Sequence, residues 1–414
     1  MAQEETILIK LCGLEGTNFE IRDVKVLDDQ IEWIIEHKPV AEYICPRCEA
    51  KHDACHSREW IKIWDVPMGP KRCLWRIRRA KILCHCGLNP VVEKMDFRSK
   101  HHRLTQRFID YIEQVLCSKM FTVADVARLF QLDYGLIYKV DHDVLLRLWQ
   151  QTKLPQPINI AVDEKAFKKS RQYVTVVTDL DRKIVIWVSP GNTKESLDQF
   201  FRILGPDRCA KIKTISKDMH VPYIASCKEY VPHALEVADP FHVVQRLNQA
   251  MDECRLNLSA GSAQPTGKRK IILNLQWLLR KKSEHLGRQD RLCLDDLAKY
   301  NEPLYHVYLM KESFYELFTY GENEIEKARE FIKSWCDDAM RISLDGIQKF
   351  ANYVLNHQER IINSLKTGLS SAISEGINNK ISVIKRMAYG YRNLQYFMLK
   401  ILQRCGILGN RATT

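Results

Sequence analysis

The 414-residue chain is predicted to be a mixed α/β protein. Three observations predict this class. Between residues 158 and 244, short β-rich apolar runs repeatedly lead to carboxylates. Apolar residues at helical spacing dominate the segments on both sides of that region, and two cysteine pairs near the amino terminus have the spacing of metal ligands. We therefore expect a sheet-based core with helical and cysteine-containing attachments.

The composition sets the wider frame. A chain of 414 residues is long enough for about two to four domains. Its net charge of +12 is typical of proteins with a phosphate-rich partner. We recognise neither a signal peptide nor an apolar run of membrane-spanning length. We therefore expect a cytoplasmic, nucleoid-associated location and no membrane partner. The 14 cysteines are scattered along the chain, which predicts reduced thiols and one metal-binding cluster.

The amino-terminal segment contains the metal-ligand pattern. Cys45-Pro-Arg-Cys48 has the spacing of a zinc knuckle, and Cys84-His-Cys86 supplies a second pair. A structural zinc could hold together a segment too small for a good core. The alternative is that these are buried or incidental cysteines.

A basic run follows between the two cysteine pairs. Trp75 and Ile77 alternate there with cations, which predicts a strand with a basic outer face suited to phosphate contacts. A merely solvated face is the alternative. The cations are Lys71, Arg72, Arg76, Arg78, Arg79 and Lys81.

Helical spacing begins after residue 103. Residues 122–130, with Thr122 as N-cap, and residues 134–140 predict two helices joined by a turn at 131–133. This pattern is typical of a helix-turn-helix, in which the second helix enters the DNA major groove. A plain helical hairpin is the alternative. The candidate DNA contacts are Tyr134, Tyr138 and Lys139.

The central region predicts five strands and two helices in the order β-β-β-α-β-α-β. β-Branched residues are concentrated in the strands. The helices are expected at residues 197–204 and near residues 222–228. Asp163 directly follows the first strand, and Asp218 lies just beyond the fourth. The strands are expected at residues 158–162, 173–178, 183–188, 212–216 and 234–238.

The carboxyl-terminal part is predicted to be helical. Trp277 is expected to be a core anchor, while the flanking Lys268, Arg269 and Lys270 could clamp DNA. Near the end, an apolar stripe of Ile377, Ile381 and Ile384 predicts a helix that would aim Glu375 away from a sheet packed on the stripe. If Glu375 lies at the frayed start of that helix, the ideal helical phase does not apply to it and its side chain need not point away from the sheet. Lys385 and Arg386 are further candidates for phosphate contacts.

The order of the central strands and the positions of Asp163 and Asp218 resemble the RNase H-like catalytic core of DDE transposases. Three motifs strengthen this resemblance and are similar to those of bacterial insertion-sequence transposases of the ISL-three (ISL3) family. They are Ser216-Lys-Asp-Met219, Asp239-Pro-Phe-His242 and Glu375-Gly-Ile-Asn-Asn-Lys380. The resemblance covers nearly the whole chain. It implies an amino-terminal zinc ribbon and an all-α insertion before the last core helix.

The family resemblance implies a catalytic site of three acids, Asp163, Asp218 and Glu375. These would hold two Mg²⁺ (or Mn²⁺) ions, with Asp163 between them. Asp239 and His242 would support this site or position DNA; turn or helix-cap roles are the alternative for each aspartate. Zn²⁺ would be bound by Cys45, Cys48, Cys84 and Cys86. Family members more often space the second pair wider, so Cys55 or Cys73 could replace one ligand.

The implied function is DNA transposition. The protein would bind the terminal inverted repeats of an insertion sequence, cleave a strand and transfer it to target DNA. Its partners would be double-stranded DNA and, for paired ends, a second copy in a homodimer or larger assembly. The alternatives are an RNase H-like structure-specific nuclease and a domesticated DNA-binding regulator.

Five segments follow from these expectations. They are a zinc-ribbon-like module at 1–100, the helix-turn-helix at 101–153, the first part of the core at 154–250, the all-α insertion at 251–370, and the final core helix with the carboxyl-terminal segment at 371–414.

Overall fold

The computed structural model confirms a mixed α/β protein, in which the chain divides into two compact units, Met1–Gln151 and Thr152–Thr414. The structure describes residues 9–10, 12–39, 41–87, 90–99, 103–118, 120–168, 172–217, 221–260, 275–368 and 372–409. Asp218, Lys268, Arg269 and Lys270 lie outside these described residues. Among the described helices, none combines the length and apolar character that crossing a membrane requires.

A five-stranded sheet forms most of the first unit. Its order is β1-β2-β6-β5, with β7 paired to the end of β6. All neighbours are antiparallel except β2 and β6, which are parallel. The sequence predicted one basic strand here and not the sheet around it. The strands are β1 (Phe19–Val26), β2 (Gln30–His37), β5 (Ser57–Met68), β6 (Lys71–Ile82) and β7 (Val91–Val92).

Residue alternation explains why β6 lies at the centre of this sheet. Cys73, Trp75 and Ile77 point to one face and are fully buried. They pack with Trp33 and Ile35 from β2, so the predicted two-residue period is confirmed.

Two smaller pieces complete the first unit. β3 (Tyr43–Ile44) and β4 (Lys51–His52) form a short hairpin around the first cysteine pair. The helices are α1 (Gln106–Cys117), α2 (Val123–Phe130) and α3 (Tyr134–Gln151). Thr122 caps α2 as predicted, because its hydroxyl accepts from the Asp125 N–H while the Asp125 carboxylate accepts from the Thr122 N–H.

The second unit contains a five-stranded sheet of order β10-β9-β8-β11-β12. β10, β9 and β8 are antiparallel neighbours, whereas β8, β11 and β12 run parallel. All five strands were predicted. Their bounds are β8 (Asn159–Lys168), β9 (Gln172–Asp179), β10 (Ile184–Pro190), β11 (Thr214–Lys217) and β12 (Leu235–Ala238).

The length of β8 differs from the prediction. The sequence pattern ended the strand at Asp163, but β8 continues for five further residues because β9 pairs with it up to Lys168. Asp163 therefore lies inside a strand, opposite Val176.

Helices pack on this sheet from several parts of the chain. Trp187 of β10 contacts Phe200 of α4. The Gly406 backbone, just after α15, bridges to Val185 on the same strand. The helices here are α4 (Lys194–Leu204), α5 (Pro206–Cys209), α6 (Val221–Tyr230), α14 (Ala372–Met387) and α15 (Leu394–Cys405). Of these, α4, α6, α14 and α15 contact the sheet, and the helix Gln358–Thr367 also packs on β12.

A helical segment separates β12 from α14 and has its own apolar core, which includes Leu304, Phe314, Trp335 and Phe350. Its helices are α7 (Pro240–Ala260), α8 (Gln276–Arg280), α9 (Arg288–Tyr300), α10 (Glu302–Phe314), α11 (Ile325–Arg341), α12 (Asp345–Asn356) and α13 (Gln358–Thr367).

One predicted core position in this segment is wrong. Trp277 was expected to anchor the core, but its side chain is 73% exposed. The reason is the phase of the short helix α8, in which Leu278 and Leu279 occupy the buried positions.

Candidate functional site

Asp163 is held by contacts from both of its carboxylate oxygens. Oδ1 accepts from the Glu164 backbone N–H at 2.7 Å. Oδ2 accepts from the Asn378 side-chain amide of α14, and Lys165 Nζ lies 3.5 Å from the same oxygen. The side chain is 18% exposed, so ligands from solvent can reach a carboxylate whose orientation is already fixed.

Glu375 lies in the first turn of α14 and is exposed. The predicted stripe of Ile377, Ile381 and Ile384 is buried, which confirms the helix. Asn378, which lies one turn after Glu375, contacts Asp163. Because positions three apart share a helix face, the face that carries Glu375 borders β8.

β11 leads to Asp218, and its last described residue is Lys217, which pairs with Val162 of β8. The Lys217 side chain is 2% exposed and contacts Glu236 of β12 at 2.8 Å. Arg360 of α13 binds the other oxygen of Glu236 at 2.6 Å. The strand end before Asp218 is thus tied to the helical segment by a buried ion pair.

The charges around Glu236 also set its protonation. Burial acts to raise the pKa of the Glu236 carboxyl, but the hydrogen bond from Lys217 and the charges of Lys217 and Arg360 outweigh it. The pKa of Glu236 therefore lies below its ordinary value.

Asp239 serves as a helix cap. It is buried, and its Oδ1 accepts from the Phe241 N–H at 2.9 Å at the start of α7. Pro240 occupies the first helical position, where a missing N–H is harmless. His242 is half-buried, with its ring edge-to-face against Phe241. This hydrogen bond is the one that the turn-and-cap alternative predicts.

The structure brings the four predicted zinc ligands together. The Sγ atoms of Cys45, Cys48, Cys84 and Cys86 all lie within 4.8 Å of one another. Cys45 Sγ is 3.5 Å from Cys86 Sγ, and Cys48 Sγ is 3.4 Å from Cys84 Sγ. Four thiols at this separation match the donor set of a tetrahedral structural zinc site, whose Zn–S distance is about 2.3 Å.

The electrostatics of the cluster favour the thiolate form at Cys45. The backbone N–H groups of Cys48 and Arg47 donate to Cys45, which lowers the pKa of the Cys45 thiol to about 6. The alternative ligands are placed elsewhere. Cys73 lies in the sheet core, and Cys55 packs beside the cluster without joining it.

The predicted DNA-contacting helix carries an aromatic stack. Tyr134 is 56% exposed and stacks on Tyr138, which in turn stacks on His142, with ring centroids 6.5 and 6.0 Å apart. Lys139 is exposed beside them. Sequence reasoning missed His142, although the spacing of four residues between stacked rings would have indicated it.

The basic side chains of β6 are largely neutralised. Arg76 and Arg78 pair with Glu32 and Glu36 of β2 at 3.9 and 3.6 Å, and Lys81 pairs with Glu59 at 2.9 Å. These contacts favour the alternative of a solvated, charge-balanced face over a strand dedicated to phosphate.

The two candidate cations of α14 differ in their surroundings. Lys385 Nζ donates to the Ala166 carbonyl of β8 at 3.0 Å, whereas Arg386 is exposed. Lys385 therefore also docks the helix on the strand.

Comparisons with known proteins point to one family. A family model described as Transposase, for DDE transposases of the ISL3 type, matches residues 160–401. The chain is 31% identical over 376 residues to the transposase for insertion sequence element IS1001 of Bordetella parapertussis, across 90% of this chain and 91% of that protein. It is 28% identical over 399 residues to the transposase for insertion sequence element IS1557 of Mycobacterium tuberculosis, across 89% and 86% of the two chains.

Proposed function

The chain belongs to the ISL3 family of insertion-sequence transposases, and we propose that it binds the terminal inverted repeats of its element, cleaves DNA there and joins the freed 3′-hydroxyl to target DNA. The observation that carries this proposal is the contact between α14 and Asp163. It brings the helix of Glu375 beside the strand of Asp163, although the two acids are far apart in sequence.

We propose that the sheet of the second unit is an RNase H-like core. Three antiparallel strands followed by two parallel ones, in the order β10-β9-β8-β11-β12, support this assignment. Asp218 follows Lys217, and Lys217 pairs with the residue that precedes Asp163. The proposed catalytic acids are Asp163, Asp218 and Glu375.

These acids fit divalent magnesium or manganese. Carboxylate oxygens are the ligands that such hard cations prefer, and Asp163 is accessible and fixed in orientation. When bound, two such ions would stabilise the negative charge that develops on the attacking and leaving oxygens. The chain itself contributes the orientation of Asp163 through Asn378, and a nearby cation, Lys165, that can approach a phosphate oxygen.

DNA recognition is assigned to the first unit. The exposed ring of Tyr134, its neighbour Tyr138 and the exposed Lys139 lie on the second helix of a helix-turn-helix arrangement. The four cysteines would hold structural zinc beside the sheet of the same unit. Pairing two element ends calls for at least two copies of the chain on DNA.

A cleavage and strand-transfer assay tests the proposed chemistry. Purified protein is incubated with Mg²⁺ and a labelled duplex that carries the element's ends. We expect cleaved and joined products from the wild type, and a loss of at least about 100-fold with Asp163→Ala or Asp218→Ala, because each removes a proposed metal ligand. Asp207→Ala, at an exposed surface position, is the control and keeps activity.

Other outcomes separate the competing functions. Cleavage without joined products would indicate a nuclease on the same fold. Specific binding without wild-type chemistry would indicate a DNA-binding regulator. Near-full activity in Asp163→Ala would remove that residue from the catalytic site.

A binding assay tests the recognition unit. A fragment of residues 1–151, which matches the first compact unit, should bind terminal-repeat DNA more tightly than random DNA. Lys139→Ala should weaken that binding, whereas Lys25→Ala, a charge-matched control on β1, should not. Equal binding to repeat and random DNA would contradict this assignment.

A further inference from the structure

Among the described residues, we find one side-chain contact between α14 and a proposed catalytic acid, and Asn378 makes it. Its amide nitrogen donates to Asp163 Oδ2 across a separation of 215 residues in the chain. Asn378 is half-buried, while the next residue, Asn379, is exposed. Two adjacent asparagines on one helix therefore differ in surroundings, and only the first has this contact.

A second contact shows how the helix lies on the strand. Lys385 Nζ donates to the Ala166 carbonyl at 3.0 Å. The seven helical steps from Asn378 to Lys385 span about 10.5 Å. The three strand steps from Asp163 to Ala166 span about 10 Å. The helix and the strand therefore run side by side in the same direction, and Asn378 fixes the end of this alignment that is nearer to Glu375.

The Asn378 amide suits the task of orienting a metal-binding carboxylate. It is a neutral donor, so it fixes Oδ2 while leaving the negative charge that a divalent cation requires. Lys165 approaches the same oxygen at 3.5 Å but carries a positive charge that would oppose a metal ion. With Glu164 N–H on Oδ1, the Asn378 amide on Oδ2 leaves the carboxylate little freedom to rotate.

We propose that Asn378 is a positioning residue: it orients the Asp163 carboxylate for divalent metal and holds the Glu375 end of α14 against β8. This inference rests on the proposed function, because it takes Asp163 as a metal ligand. Residues that orient metal ligands typically contribute about 10- to 100-fold in metal affinity or activity when they are removed.

The test is a titration of the zinc-loaded, full-length protein with Mn²⁺, in which free Mn²⁺ is followed by electron paramagnetic resonance. Asp163→Ala defines the binding that depends on this carboxylate. We expect Asn378→Ala to weaken that binding about 10- to 100-fold. Asn379→Ala is the matched control, the same substitution one residue away, and should bind Mn²⁺ within about twofold of the wild type.

A companion assay separates positioning from folding. If Asn378 only stabilises the fold, its variants lower the thermal unfolding midpoint and leave Mn²⁺ binding of the folded protein unchanged. If it positions Asp163, the Mn²⁺ concentration for half-maximal DNA cleavage rises, and high Mn²⁺ restores the rate. Asn378→Leu, which keeps the side-chain size without a donor, serves as a second variant should Asn378→Ala fail to fold.

Two results would overturn the inference in different ways. Wild-type Mn²⁺ affinity in Asn378→Ala and Asn378→Leu, with binding lost in Asp163→Ala, would remove the positioning role and leave the proposed active site intact. A titration that does not change in Asp163→Ala would remove the metal site itself, and with it both the proposed function and this inference.

Discussion

Lys217 places a positive charge inside the second unit, one residue before a proposed catalytic acid. It is offset by Glu236 at 2.8 Å, and Glu236 is shared with Arg360 at 2.6 Å. Asn363 also donates to the Glu236 backbone carbonyl at 2.9 Å. Arg360 and Asn363 of α13 therefore both contact Glu236 of β12, the strand that pairs with β11. At the residue scale, these ion pairs couple the helical segment to the sheet of the second unit.

We expect Glu236→Gln to destabilise the protein by about 3 kcal/mol at neutral pH, because it leaves the buried Lys217 without a counter-charge. The folded-state pKa of Glu236 lies below the unfolded value of about 4.3. The stabilisation from this carboxylate is therefore complete above about pH 4.3 and is lost as the pH falls through the folded-state pKa. Unfolding in urea at several pH values measures both effects.

The surface pair of Glu195 and Arg202 provides the control for this measurement, since both side chains are at least half exposed. Glu195→Gln should change the free energy of unfolding by less than about 1 kcal/mol at any pH. A difference between wild type and Glu236→Gln that persists at low pH would contradict the electrostatic explanation.

The cysteine cluster gives a second prediction for single residues. Cys48→Ser should lower the zinc content and the thermal midpoint of the first unit, because it removes one of four thiols within 4.8 Å. Cys55→Ser, a neighbouring cysteine outside the cluster, is the matched control. Elemental analysis and thermal unfolding with and without a chelator measure the effect. Equal zinc loss in both variants, or zinc-free wild type, would contradict the site.

At the scale of elements, α14 packs into the core on one face and contacts β8 with another. Its isoleucine stripe is buried, while Asn378 and Lys385 contact β8. The sequence alone suggested that packing the isoleucine stripe on the sheet would aim Glu375 away from it, because that reasoning placed the sheet on one side of the helix only.

Alanine substitutions at two glycines test how closely α12 packs on α7. A Cβ atom on Gly346 of α12 would lie 2.5 Å from the Ala250 carbonyl oxygen and 2.8 Å from Cys254 Sγ, both on α7. We expect Gly346→Ala to destabilise the protein by about 1–3 kcal/mol through overpacking. Gly376→Ala on α14 is the control, because its Cβ would meet nothing within 4 Å.

The control should behave oppositely. Alanine has a higher helix propensity than glycine, so Gly376→Ala should raise stability by up to about 1 kcal/mol. Thermal unfolding of the two variants beside the wild type measures both changes. A tolerated Gly346→Ala would mean that α7 and α12 are not in tight contact.

At the scale of the whole molecule, two compact units divide the proposed work. The first unit contains the cysteine cluster and the helices α2 and α3, and the second contains the strand and helix that carry Asp163 and Glu375. The family match at residues 160–401 falls in the second unit, whereas the curated relatives match about 90% of the chain.

The net charge of +12 predicts salt-dependent DNA binding by the full chain. If about 6–10 phosphates are contacted, the affinity for element-end DNA should fall about 10³- to 10⁵-fold between 50 and 200 mM salt. Fluorescence anisotropy at four salt concentrations gives the slope. Because Arg76 is paired with Glu32, Arg76→Ala should leave the slope nearly unchanged, whereas Lys139→Ala should reduce it. A flat salt dependence would contradict a phosphate-based interface.

Much of the fold could be predicted from local patterns. The five strands of the second sheet, the capped helix after Thr122 and the isoleucine stripe of α14 all follow from short-range alternation or helical spacing. The four clustered cysteines could be named because the spacing within each pair is also local.

The remainder depended on partners that are distant in the chain. The first sheet, the full length of β8 and the exposure of Trp277 depend on which strands and helices pair with them. Pairing over long separations leaves no periodic signal in one sequence.

The sequence by itself determined the sheet-based class and the two cysteine pairs, because these rest on residue type and spacing, whereas the candidate acids were named through the resemblance to the ISL3 family. Only the tertiary structure decided that Asn378 meets Asp163, that Lys217 is neutralised by Glu236, and that the β6 arginines face glutamates. The physical reason is that orientation and charge compensation are properties of neighbours in space, and most of these neighbours lie tens to hundreds of residues apart along the chain.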